Sequence, residues 1–273
     1  MFALIKLLGK GYPSGEILFS RSFFALIPLL PVIIKNGGWR QSMRTSRPGA
    51  HGVRSAVGLV SAFLCIESLR YLPLAEATSL FYAAPLITTV LAAAILKEKV
   101  SKAKGAAIFL GFLGVLYMLQ PRLSSNLLGA ALALGSACTS AYVSIELRRM
   151  GATEKAITIV IYFMLACSLA GIVTMPFSFV VPTAHDAVLL LLIGVIGGVA
   201  QYFMTEAYHL APATTVAPLN YISLLWAVLL DMAFWGRMPT VEALAGAVVI
   251  ALSGIFVIAP ERNRPKLLPS TEP

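Results

Sequence analysis

Residues 74–96 read LAEATSLFYAAPLITTVLAAAIL, a run with one acid, Glu76, and no base. As a helix rising about 1.5 Å per residue it spans about 34 Å, enough to cross a hydrocarbon core of about 30 Å. Runs of the same kind recur at 16–35, 53–72, 104–121, 126–147, 156–180, 186–208, 213–235 and 241–259. They are long and continuous, unlike the alternating segments of about ten residues in an outer-membrane barrel. The reading is therefore an all-α polytopic membrane protein. The connections are short and leave no room for a separate soluble domain. The whole 273-residue chain agrees, being 58% hydrophobic and only 12% charged, with a mean hydropathy of +0.84. A soluble domain carries about 25% charged residues. This composition argues against a secreted enzyme, a nucleic-acid binder or a soluble signalling domain.

The net charge of +9 sits in particular loops. Lys35, Arg40, Arg44, Arg47 and Arg54 follow the first full span. Lys97, Lys99, Lys102 and Lys104 come two spans later, then Arg148, Arg149 and Lys155, and the tail holds Arg262, Arg264 and Lys266. The intervening loops are poor in base. By the positive-inside rule the rich loops and the C-terminal tail are cytoplasmic, so topology accounts for the charge and no nucleic-acid partner is expected. Cys65, Cys138 and Cys167 all fall inside apolar runs and offer neither a disulfide framework nor metal spacing. No cleavable signal peptide is read at the start of the chain.

The chain also resembles itself at an offset of 139. ESLRYLP at 67–73 reads against EAYHLAP at 206–212, Tyr82 meets Tyr221, and Pro121 meets Pro260. By the charge pattern the first of these loops faces outside and the second inside, so the two copies are inverted. Inverted repeats in one polytopic chain point to a secondary transporter with its site at the interface of the halves.

Three stretches then resemble the drug/metabolite transporter superfamily, in its EamA-domain branch. They are SGEILFSRSFFALIPLLP at 14–31, the whole of 67–121, and EAYHLAPATTVAPLNYISLLWAVLLDMAFWG at 206–236. TSRPGAHGVRSAVGL is similar to the subgroup that includes S-adenosylmethionine uptake carriers. The resemblance implies ten helices in two inverted five-helix repeats, at residues 1–121 and 122–260, with 261–273 as a cytoplasmic tail. Only the end of the family's first helix, FALIKLLG, is found before the turn at Gly11–Gly15. The resemblance therefore predicts a ten-helix bundle with a truncated first helix and a central cavity between the halves. Restoring that helix upstream is expected to be required for transport.

Polar groups inside spans are costly and each needs a reason. Thr78, Tyr82, Pro85 and Thr89 share one helical face, and Pro85 frees a backbone carbonyl. Pro218, Asn220 and Tyr221 are the counterparts in the second half, with Trp226 beyond them. Ser136, Thr139, Ser140 and Ser144 form a hydroxyl stripe readable either as interhelical glue or as cavity lining. Gly129, Ala133, Ala137 and Ala141 beside it read as close packing. Gln201 and Tyr202 accompany Gly194, Gly197 and Gly198. The expected substrate-binding set is Tyr82, Asn220, Tyr221, Trp226, Gln201, Ser140 and Thr78. Glu67 and its mate Glu206 are either end anchors or gating and ion-coupling carboxylates. Arg21 is either a structural cation or a recognition site for a substrate carboxylate.

These groups suit a small amphipathic or zwitterionic metabolite, amino-acid-like or S-adenosylmethionine-like, moved across a bacterial inner membrane by alternating access. The alternatives are a non-transporting scaffold or an intramembrane enzyme. The latter is disfavoured because no HExxH or GxSxG occurs and no His shares a face with a mid-span serine or carboxylate. No metal or cofactor is expected, and the oligomeric state is open between monomer and homodimer.

Overall fold

The structure, a computed structural model, describes residues 4, 8, 11–72, 77, 80–119, 126–177, 179–235 and 240–258. Among these no strand occurs. The helices are α1 (Ser14–Phe23), α2 (Leu30–Lys35), α3 (Gly38–Ser42), α4 (Pro48–Tyr71), α5 (Ala84–Ile95), α6 (Lys102–Leu119), α7 (Leu127–Met150), α8 (Ala156–Thr174), α9 (Ala184–Leu210), α10 (Ala213–Val216), α11 (Ile222–Trp235) and α12 (Val241–Ile258). Among the described residues, helix occurs in each of the nine predicted spans. Leu127–Met150, Ala156–Phe177 and Ala184–Leu210 are each long and apolar enough alone to cross a bilayer.

Local chemistry sets the ends. Thr183 caps α9 by accepting the Asp186 amide, and Asn126 caps α7 by accepting that of Gly129, which satisfies otherwise orphan first-turn donors. Proline opens α4 at Pro48, where its missing N–H costs nothing. That start lies ahead of the predicted 53, and it corrects the reading of Arg54 as a loop cation. Arg54 sits in the second turn of α4 with 1% of its surface exposed.

Three membrane segments are interrupted. Phe24–Leu26 forms a 3-10 turn between α1 and α2, and residues 82–83 are a turn just before α5. Ala217–Tyr221 is a 3-10 segment joining α10 to α11. Pro85 and Pro218 stand at the last two breaks, where a missing amide prevents a continuous helical ladder.

Core clusters tie the two halves together. Ala25, Leu29 and Ile33 pack against Ile157, Val160, Phe163, Met164 and Cys167 of α8. This pairing is antiparallel, since Gly15 lies against Thr174 and Asn36 is bonded by Lys155. The end of α5 meets the start of α10 through Glu98, which accepts from the Ala213 and Thr214 amides. On α6 and α12, Ser253 Oγ donates to the Ala107 carbonyl at 2.6 Å, and a Cβ on Gly114 would stand 3.2 Å from the Gly246 carbonyl. Ala107 and Gly246 are 139 positions apart, as are Gly114 and Ser253, so these two contacts exchange with one another under the sequence offset.

Close helix approach follows the small residues. Gly198 faces the Ala25 backbone and Gly194 faces Phe24. Ala133, Ala137 and Ala141 are buried, and Gly129 admits Tyr71 and Leu72 at the end of α4. Ser61 and Ser136 complete that contact, each hydroxyl donating to the other's carbonyl, at 3.2 and 3.0 Å.

Candidate functional site

Tyr82 and Tyr221 meet where the interrupted segments cross, with ring centroids 6.0 Å apart. Tyr221 is buried among Val115, Leu224 and Ile250, and its hydroxyl has no hydrogen-bond partner among the described residues. The Tyr82 hydroxyl lies 2.7 Å from Ser223 Oγ. Ser223 itself donates to the Asn220 carbonyl at 2.6 Å. A carbonyl only accepts, so Ser223 has spent its proton there and Tyr82 is the donor of the other bond.

A row of polar groups continues from this point. The Asn220 and Ser144 side chains flank the buried Tyr208 hydroxyl, which is without a partner in hydrogen-bonding geometry. Ser144 Oγ donates to the Ser140 carbonyl at 3.1 Å. Ser140, Asn220 and Ser223 are exposed, and Tyr82 and Ser144 are half-buried. Polar side chains within a membrane segment need partners, since lipid gives them none. The row runs from near the ends of α7 and α9 to the tyrosine crossing, over four membrane segments.

The other expected residues that the structure describes do not join this row. Gln201 is 7% exposed, with its Nε2 unpartnered. Trp226 is 62% exposed and makes no ring contact with either tyrosine among the described residues. Five positions beyond Tyr221, it projects about 140° away round the helix. Thr78 lies outside the described residues. Glu67 is half-buried and partnered. Glu206 is half-buried and lies within electrostatic reach of His209 and Tyr202. Arg21, on α1, is within reach of Cys65 and Cys167.

One end of the bundle is closed by polar ties between helix termini. Glu98 Oε1 accepts from Ala213 N at 2.9 Å, and Oε2 accepts from Thr214 N at 3.1 Å and Thr214 Oγ1 at 2.9 Å. Arg148 Nη1 donates to the carbonyls of Tyr208 and His209. Glu154 Oε1 accepts from Thr45 Oγ1 and from the amide and hydroxyl of Ser46, and His51 Nε2 is 3.4 Å from its Oε2. Burial works to raise the Glu154 carboxyl, but the bonds from Thr45, Ser46 and His51 outweigh it and hold the group below its ordinary range.

Two interrupted membrane segments thus meet at paired tyrosines, with a row of polar side chains leading to them. Among the described residues no group of three His, Cys, Asp or Glu is placed to hold a metal. Residues 1–120 and 127–259 match the EamA-like transporter family. The chain belongs to that family. EamA relatives include an S-adenosylmethionine uptake transporter of Rickettsia prowazekii, 25% identical over 94% of this chain and 87% of its own length. The pseudopaline exporter CntI of Pseudomonas aeruginosa is 31% identical over 93% and 89%. A riboflavin transporter of Vibrio cholerae is 28% identical over 90% and 83%. A solved crystal structure superposes with a TM-score of 0.80 at 18% identity, covering 94% of this chain and 91% of its own, which shows the shared fold. The family and these relatives are named as transporters, not enzymes, and the chain is a multi-pass membrane protein of that kind.

Arg54 is a buried charged residue that sequence reasoning missed. Its charge counts toward the loop in any topology rule. Gly58, four residues on, leaves room beside it for Phe163, but no local sequence pattern marks that contact.

Proposed function

We propose that this protein is a secondary carrier in a bacterial inner membrane. It moves a small amphipathic metabolite, amino-acid-like or S-adenosylmethionine-like, by alternating access between two inverted halves, residues 1–121 and 122–260. The C-terminal tail faces the cytoplasm.

The observation that carries this reading is the crossing of Tyr82 and Tyr221. They are mates at the offset of 139, so a contact between them maps onto itself when the halves are exchanged. The reciprocal pair Ala107–Ser253 and Gly114–Gly246 supports the same pseudo-twofold relation. A site on such an axis is presented equally to both sides of the membrane, as alternating access requires. Interrupted helices at that point supply backbone groups and room that a continuous helix would not. The polar row from Ser140 to Tyr82 supplies neutral hydrogen-bonding groups, and the tyrosine rings supply an apolar wall.

Reconstitution of the protein into proteoliposomes tests this. Uptake of radiolabelled S-adenosylmethionine, riboflavin and a set of amino acids is measured with and without excess unlabelled competitor. Saturable, competed uptake of at least one compound is the expected result. Uptake no greater than in protein-free liposomes for every compound would refute the proposal in favour of a non-transporting protein.

A further inference from the structure

Arg54 is 1% exposed, and its Nε and Nη1 nitrogens are buried with no hydrogen-bond partner among the described residues. An arginine cannot shed its proton in a protein, so the bundle interior holds a permanent charge with unmet donors. The face of the guanidinium is covered. Its Cζ lies 3.6 Å from the centroid of the Phe163 ring, a favourable cation–π contact. Gly58 leaves room for that stack, since a Cβ there would fall 2.8 Å from Phe163 Cε2 and 3.4 Å from Arg54 Nη1. A ring on the face leaves the Nε and Nη1 N–H groups, in the guanidinium plane, without an acceptor among the described residues.

A second cation points to the same place. Arg21 of α1 lies within electrostatic reach of Arg54 of α4, and both reach Cys167 of α8. Phe163 and Cys167 are four residues apart, so one face of α8 meets both arginines. Like charges gathered in a membrane interior call for an anion between them. Among the described residues no carboxylate pairs with either. Glu16 accepts from the Val180 amide, and Glu154 is taken by Thr45 and Ser46. Arg21 is the eighth residue of its helix and Arg54 the seventh of its own, each about 10 Å from a helix end.

We propose that Arg21 and Arg54 form an anion subsite inside the bundle that takes a carboxylate of the transported metabolite. The proposal rests on the carrier reading above and narrows its substrate class to compounds bearing a carboxylate. The planar guanidinium matches the two oxygens of that group. With Phe163 on its face, the guanidinium receives the anion in its plane.

The test uses the purified full chain in detergent, with the thermal midpoint as readout and two isosteric probes, benzoate and benzamide. Benzoate should raise the midpoint of the parent protein in a saturable way, and benzamide should not. Arg54→Gln and Arg21→Gln should each weaken the benzoate response about tenfold or more. Arg54→Lys, which keeps the charge and tests for a folding defect, should retain part of it. Arg44→Gln, which removes a loop charge, should leave it intact. Equal responses to benzoate and benzamide, or an undiminished response in Arg54→Gln, would overturn the subsite. So would a response to added phosphatidylglycerol but not to benzoate, which would assign the site to lipid. Because the readout is binding, a protein that transports nothing but loses benzoate in Arg54→Gln refutes the carrier and keeps the subsite. Saturable uptake with arginine-independent binding does the reverse.

Discussion

Glu98 is the side chain whose removal should open the closed end of the bundle. It ends α5 in a tight reversal in which Lys97 takes φ 57 and the Glu98 amide returns to the Ala92 carbonyl, a Schellman-type stop. That turn aims both carboxylate oxygens at the start of α10, where they accept two amides and the Thr214 hydroxyl. The Glu98 side chain is only 14% exposed, so water replaces little of this when it is lost. Hydrogen bonds to a charged group contribute about 1.5–3 kcal/mol each, and a lost helix cap costs about 0.5–2 kcal/mol. With partial compensation by water, Glu98→Ala should disfavour the closed end by about 2–4 kcal/mol. That is a change of about 30- to 1,000-fold in a two-state equilibrium. Glu98→Gln should do nearly as much harm, because one of its two head atoms becomes a donor facing another donor. Electron–electron distance measurement between spin labels at Lys102 and Ala152, both exposed at this end, reads the outcome. The parent protein should give one short distance, and both variants should add a longer population that dominates in Glu98→Ala. An unchanged distribution with an unchanged melting temperature in Glu98→Ala would refute the assignment of Glu98 as the tie.

Three further outcomes are expected. Gly198→Ala would drive a methyl into the Ala25 carbonyl, a backbone atom that cannot swing aside. Thermal melts should show a loss of about 1–3 kcal/mol, whereas Gly49→Ala, with nothing within 4 Å, should lose nothing. The Glu154 carboxylate is held below its ordinary range, so its contribution to stability is present above that range and is lost as pH falls through its lowered value. The parent melting temperature should therefore drop more steeply than that of Glu154→Gln below about pH 4.5, and parallel curves would remove Glu154 as a tie. Lys97→Gly relieves a left-handed residue and should stabilise the protein by up to about 1 kcal/mol, a gain visible in the same melts.

Apolar run length made the membrane segments legible, because the requirement for about 20 buried residues is strict and local. The offset between Tyr82 and Tyr221 was legible too, since a shared tyrosine, proline and glutamate stand out against interchangeable Leu and Ala. The breaks at residues 82–83 and 217–221 were marked by Pro85 and Pro218, but sequence does not say whether a proline bends a helix or stops it. Trp226 was grouped with Tyr221 by its depth in the membrane, and helical phase turns it to another side. Arg54 was invisible as an interior residue because a charge near a span end is ordinarily a loop charge. What draws it in is packing against Phe163, 109 positions away, and no local pattern encodes such a contact. The hydroxyl stripe divides for the same reason: Ser136 meets Ser61 across a helix interface, while Ser140 and Ser144 stay on the uncovered side.

Counterflow in proteoliposomes tests the central claim most directly. Vesicles preloaded with an unlabelled substrate are given a trace of the labelled one outside, and uptake is compared for the parent protein and for Tyr82→Ala and Tyr221→Ala. A site on the exchange axis of two inverted halves predicts that preloading accelerates uptake in the parent. It also predicts that each tyrosine variant, being a change to the same shared site, lowers exchange to a similar degree in both directions. Uptake that is indifferent to preloading, or full exchange in a folded Tyr221→Ala protein, would contradict the account.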